Sequence, residues 1–213
     1  MWPSIAALLI ALWCAVTPAA AASLNLEVRD LAGHLLPDAV AFVEPLGAVP
    51  HRPARQPRTT VDQVNKEFLP LVSIVQTGTE VSFPNSDHIR HSIYSFSPAK
   101  VFTAKLYSGT QAPPVVFDNS GLVVLGCNIH DTMVAWIVVV DTPYFAKTGA
   151  DGAVVISGME AGDYRLSVWY PGPTFEPHVE QIHISDAVQH REVRLDTTGS
   201  PLPAVNARVR DGR

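Results

Sequence analysis

What most constrains the fold of this chain is the length of its apolar runs. Most hold roughly four to eight residues, and turn-forming residues such as Gly, Pro, Asn and Asp separate them. Between positions 71 and 140 the runs are Leu71 to Val75, Val81 to Phe83, Ile89 to Phe96, Val101 to Tyr107, Val115 to Phe117, Leu122 to Leu125 and Val134 to Val140. No stretch repeats apolar residues at the three- and four-residue spacing of an amphipathic helix, so the chain reads as all-β. Its 213 residues suffice for one large β domain or two small ones, each with its own core.

The runs divide the chain. Leu24, Leu26 and Val28 alternate with polar residues, a turn follows at Asp30 to Gly33, and Val40 to Val43 form a second strand. Residues 23–45 are therefore read as an opening pair of strands, 46–59 as a Pro- and Arg-rich linker, and 60–143 as a β-sandwich of Greek-key type. After Pro143 the Gly149-Ala150-Asp151-Gly152 turn, the strand from Ala153 to Ile156, the Ala161-Gly162-Asp163 turn and the strand from Tyr164 to Trp169 begin a second unit. That unit occupies 144–196, with further strands at Val179 to Ile184 and Val193 to Leu195, and 197–213 reads as a frayed tail.

The N-terminus carries an apolar stretch from Ile5 to Val16, then Pro18 and an alanine run in which Ala20 and Ala22 suit an A-x-A cleavage site. Residues 1–22 are read as a secretory signal peptide, placing the mature chain in the periplasm or outside the cell. The apolar stretch is shorter than the roughly 20 residues a bilayer span needs, so no transmembrane segment is expected after cleavage. Cleavage would remove Cys14 and leave Cys127 as the one thiol, which excludes a disulfide framework and asks what a lone thiol does in an oxidising compartment. A net charge of −5 and a pI near 5.9 argue against a nucleic-acid partner. The basic cluster from His51 to Arg58 is Pro-rich and reads as solvated linker.

One segment carries chemistry. Cys127-Asn128-Ile129-His130-Asp131-Thr132-Met133 places a thiolate, an imidazole and a thioether on one short loop between two strands. Two histidines, one cysteine and a weak axial methionine form the blue-copper donor set, so one more histidine is required. His91 shares strand parity with Ile89 and Ile93 and should point inward, whereas His88 shares parity with Arg90 and Ser92 and should face solvent. His91, Cys127, His130 and Met133 are thus the candidate metal ligands. His178, His183 and His190 are scattered and read as surface residues.

These residues resemble the plastocyanin-like cupredoxins, and the two-residue gap between His130 and Met133 is most similar to that of amicyanin. The likeness extends to Phe83-x-Asn85, the Asp118-Asn119-Ser120-Gly121 turn and the strand from Ala135 to Val140. Ser92 departs from the pattern, standing where these families carry Asn, so the hydrogen bond between the two ligand loops should be altered. Asp30-x-x-Gly33, Leu36-Pro37-Asp38-Ala39-Val40, Asp151-Gly152 and Ala161-Gly162-Asp163-Tyr164-Arg165-Leu166 resemble the carboxypeptidase regulatory-like, transthyretin-like β-sandwich. The two resemblances imply a Greek-key cupredoxin sandwich inserted into a loop of the smaller sandwich or joined to it. Insertion requires Val43 and Ala146 to lie close together. Chains of this layout are similar to those labelled methylamine utilisation proteins.

The resemblance implies one type 1 copper per chain, one-electron transfer and a redox partner protein such as a dehydrogenase or cytochrome, docking near His130, Ile129 and Pro113 or Pro114. Catalysis is not expected. Gly126 and Asn128 flank the cysteine where a multicopper oxidase carries histidines, a second cysteine for a binuclear copper centre is missing, and no G-x-S-x-G, H-E-x-x-H or P-loop motif occurs. Copper delivery, or a carbohydrate- or protein-binding module, are the alternatives, and a ligand for the smaller sandwich is left open.

Overall fold

The computed structural model describes residues 22–47, 58–108, 112–171, 176–185, 187–200 and 202. The first strands are β1 (Ala22–Asp30), β2 (Val40–Pro45), β3 (Arg58–Thr60), β4 (Asp62–Val64), β5 (Glu67–Leu69), β6 (Val72–Gln76), β7 (Thr79–Ser82) and β8 (His91–Ser97). They are followed by β9 (Lys100–Tyr107), β10 (Val115–Phe117), β11 (Gly121–Gly126), β12 (Val134–Val140) and β13 (Phe145–Lys147). Last come β14 (Ala153–Met159), β15 (Gly162–Trp169), β16 (His178–Ile184) and β17 (Val188–Leu195). The chain is all-β, as its short apolar runs require, and among the described residues no helix is long and apolar enough to cross a membrane.

Three sheets draw only on the middle of the chain: β6-β12-β11-β8-β9, β10-β7-β3 and the two-stranded β4-β5. Two others draw only on its flanks: β14-β1-β17 and β13-β2-β15-β16. The flanking strands meet closely. β13 pairs with β2 at Ala146↔Ala41, Val43 donates its N–H to the Tyr144 carbonyl at 2.9 Å, and the Thr142 hydroxyl donates to the Val43 carbonyl at 2.7 Å. Thr148 adds a second tie, its buried hydroxyl donating to the Leu36 carbonyl at 2.6 Å and accepting the Ala39 N–H at 2.9 Å.

β12 explains why the run from Val134 to Val140 contains no polar residue: six of its seven residues are buried. Ala135, Ile137 and Val139 face a core with Phe83, Ile93, Phe117, Leu125, Cys127 and Met133. Trp136, Val138 and Val140 face a second core with Leu24, Leu26, Val43, Ile156, Leu166 and Ile184. A strand walled on both sides loses the alternation that marks a half-exposed one. The same strand therefore lines both hydrophobic interiors.

Several elements differ from expectation. The strand read from Ile89 begins at His91; Ile89 lies before it and is 39% exposed. The pairing of β4 with β5 was not anticipated, because Asn65 and Lys66 supply the left-handed turn (φ 53° and 63°) without the glycine that usually marks one. Within the expected linker, 46–59, residues 48–57 lie outside the described residues, while Arg58 and Thr59 join Thr60 in a strand that pairs in parallel with β7. The expected signal segment likewise falls outside them except for Ala22, which opens β1. Of the tail, 197–200 and 202 are described, and Leu202 is buried in the second core rather than frayed.

Candidate metal centre

Three of the four candidate ligands converge. β11 ends at Gly126 and delivers Cys127; His130 follows on the loop to β12; and His91 opens β8, the neighbour of β11. One donor atom from each of His91, Cys127 and His130 lies within 4.8 Å of the others. Cys127 Sγ stands 3.8 Å from His91 Nδ1, and the two imidazole rings meet edge to face with centroids 5.0 Å apart. His91 and Cys127 are buried and His130 is half-buried. Met133 is 1% exposed in the same core as Cys127, and its N–H donates to the His130 carbonyl at 2.9 Å, closing the loop into a turn. His88 is exposed, and His178, His183 and His190 lie on the exposed surface of β16 and β17, His183 paired with Asp163 at 2.7 Å.

Strand parity thus places His91 correctly, but only partly for the reason given: Ile93 is fully buried on the same face, while Ile89 is not part of the strand. A register shift between His91 and Ile93 opposite β9 also buries Ser92. Ser92 Oγ accepts the Asn128 N–H at 3.3 Å, so a serine makes the link between the ligand loops.

The donor atoms are prepared for an electrophile. His130 Nδ1 is buried and makes no hydrogen bond, a costly state for a ring nitrogen unless something else occupies its lone pair. Burial pushes the Cys127 thiol up, yet the backbone N–H groups of Ile129, Ser92 and His130 and the His91 ring together hold it below the ordinary thiol range. Thiolate character is what a metal ligand needs. Thiolate and imidazole together favour late transition metals such as copper and zinc over magnesium or calcium, and the residues present fit such an ion.

Around the donors lies a scaffold that the sequence reading missed. His91 Nε2 lies 2.7 Å from Asp87 Oδ2, and the same carboxylate accepts N–H groups from Asn65 at 2.7 Å and Lys66 at 2.8 Å. Burial raises the Asp87 carboxyl, but the Lys66 N–H, the His91 ring and the Asn65 N–H hold it below its ordinary value. Asn85 fastens the loop, accepting the Asp87 N–H at 3.0 Å and donating to the carbonyls of Ile89 and Tyr107 at 2.9 and 2.8 Å. On the other side, Gly126 faces Tyr94 across the ladder, and a Cβ added there would fall 2.6 Å from Tyr94 Cζ. The available signal was an acidic residue four positions before a candidate histidine in a loop.

No family model matches the chain, and no curated protein matches it. Solved structures with partial likeness include a Cu-containing nitrite reductase from Thermus scotoductus SA-01, with 25% identity over 45% of this chain and 25% of that one, TM-score 0.37. Others are a reduced mutant of amicyanin (19% identity, 38% of this chain and 79% of that one, TM-score 0.35) and a purple cupredoxin from Nitrosopumilus maritimus (22%, 38% and 98%, TM-score 0.34). The chain spans a quarter of the length of that nitrite reductase, and each of these three likenesses covers less than half of this chain. The class is therefore defined by what its own residues build: an all-β sandwich protein with a His-Cys-His donor cluster, two of whose members are buried and one half-buried. Met133 stands beside that cluster in sequence and in core.

Proposed function

We propose that this chain is an exported type 1 copper protein that carries single electrons, with one copper held by His91, Cys127, His130 and Met133. The observation that carries the reading is the convergence within 4.8 Å of Cys127 and His130, on one loop, with His91 from a separate strand, one of the donors being a buried imidazole nitrogen with no other partner. Bound copper would supply a reversible one-electron couple. The chain's own part is to favour the Cys127 thiolate through backbone N–H groups, and to hold His91 and Cys127 at strand ends and His130 on a short turn so that little need move between oxidation states. Ile129, 49% exposed, and the exposed Pro113 and Pro114 supply an apolar surface on which a redox partner such as a dehydrogenase or cytochrome would dock.

The same proposal extends to architecture. Residues 60–143 form the copper unit, inserted into a loop of a smaller transthyretin-like sandwich made from 23–45 and 144–196, and the pairing of β2 with β13 supports it. Export through a cleaved leader and a methylamine-utilisation setting belong to this reading on the sequence resemblance alone. Titration with copper, followed by visible absorption and paramagnetic resonance, tests the whole: the expected result is one equivalent bound with an intense thiolate-to-copper band that Cys127→Ser abolishes. An intense band surviving in that variant, or no stoichiometric binding by the wild type, would overturn the assignment. Transfer of the metal to an apo-acceptor without reversible redox cycling would mark copper delivery instead.

A further inference from the structure

His91 has two ring nitrogens, and only one of them can face the donor cluster. Nδ1 is the atom 3.8 Å from Cys127 Sγ, while Nε2 points the other way, 2.7 Å from Asp87 Oδ2. An ionised carboxylate has no hydrogen to give, so the ring nitrogen must be the donor in that contact. The carboxylate is itself fixed from behind. Asn65 and Lys66, both in the left-handed region at the tip of the β4–β5 hairpin, aim successive N–H groups at Oδ1 and Oδ2, at 2.7 and 2.8 Å. Asn85 holds the Asp87 backbone and ties the same loop to the ends of the Ile89 and Tyr107 peptides.

We infer that Asp87 is a positioning residue which, braced by the hairpin tip, keeps His91 in the Nε2–H tautomer with the Nδ1 lone pair aimed at the metal position before any ion arrives. The inference deepens the copper reading and rests on it for its functional meaning, although the tautomer itself is a property of the metal-free chain. A carboxylate on the far nitrogen both orients the ring and makes it a more basic ligand, and disturbing such a partner generally weakens metal binding about 10–100-fold. Its negative charge also favours the more oxidised ion, so removing it should raise the reduction potential.

The experiment begins with ¹⁵N-labelled, metal-free wild-type protein at mildly alkaline pH, where long-range proton–nitrogen correlations report which His91 nitrogen is protonated. Protonated Nε2 is expected; protonated Nδ1 would overturn the inference without any variant. In Asp87→Asn the isosteric amide cannot accept from Asn65, Lys66 and His91 together. This variant, and Asp87→Ala beside it, should populate both tautomers, bind Cu(II) about 10–100-fold more weakly in chelator competition, and show a raised potential. Folded variants with unchanged tautomer, affinity and potential would refute the role. Wild-type protein that shows Nε2–H yet binds no copper would sustain the positioning claim and sink the copper reading, so the two failures are distinct.

Discussion

Thr148 offers the sharpest test of how the flanking segments are held together. Its hydroxyl is buried, donates to the Leu36 carbonyl at 2.6 Å and accepts the Ala39 N–H at 2.9 Å, bridging positions more than a hundred residues apart in sequence. Thr148→Val keeps the shape but leaves one carbonyl and one N–H buried without partners. Each such orphan costs about 1–3 kcal/mol, so a loss of about 2–4 kcal/mol is expected after partial relaxation. Thr148→Ser keeps the hydroxyl and removes one methyl, for which about 1 kcal/mol is expected. Equilibrium urea denaturation of the full chain, monitored by tryptophan fluorescence, reads both numbers from shifts in midpoint at constant slope. The ordering is as informative as the size. If valine costs no more than serine, the hydroxyl is not satisfying buried backbone groups and the account of the junction is wrong.

The remaining predictions concern the middle of the chain, which holds the donor cluster. Gly126→Ala places a carbon 2.6 Å from the far end of the half-buried Tyr94 ring, well inside the ~3.5 Å at which carbons pack, and should cost about 1 kcal/mol as the ring is displaced. Combining it with Tyr94→Ala should remove that penalty, and a strictly additive double-mutant cycle would exclude the clash. Tyr107, whose hydroxyl donates to the Phe83 carbonyl at 2.6 Å, is pushed up to about 12 by burial, so it favours the fold below pH 10 and loses that contribution as pH rises toward 12. Alkaline unfolding should therefore be less steep in Tyr107→Phe than in wild type, and equal pH slopes would contradict this. Met133→Gln should retain copper while lowering the potential, measured by voltammetry; an unchanged potential would remove Met133 from the donor set.

The strands were readable because their physics is local: an apolar run bounded by turn residues has few alternatives to β structure. β10 and β12 have the bounds read from sequence, Val115–Phe117 and Val134–Val140. Hairpin β4–β5 escaped because its turn relies on Asn65 and Lys66 adopting positive φ, which glycine would have advertised and these residues do not. The cluster His91, Cys127, His130 was legible because donor chemistry is rare and the spacing of the latter two is fixed on one loop. Its supports were not. Asp87 binds through the backbone of a hairpin some twenty residues earlier, and Tyr94 reaches Gly126 across a ladder; both depend on strand pairing that one sequence does not reveal. Leu202 reads as tail because an apolar residue set between Pro201 and Pro203 carries no periodic signal, although the fold gives it a place to pack.

β12 leaves the chain almost no freedom in length. Odd-numbered side chains serve one interior and even-numbered ones the other, so a single inserted or deleted residue between Met133 and Ala135 would exchange the two sets along the whole strand. Trp136 would then be driven into the core that holds Cys127, while Ala135 left a void in the other. Exchanges among aliphatic residues can be absorbed here, but indels cannot, and the segment should show that asymmetry in any library of random variants.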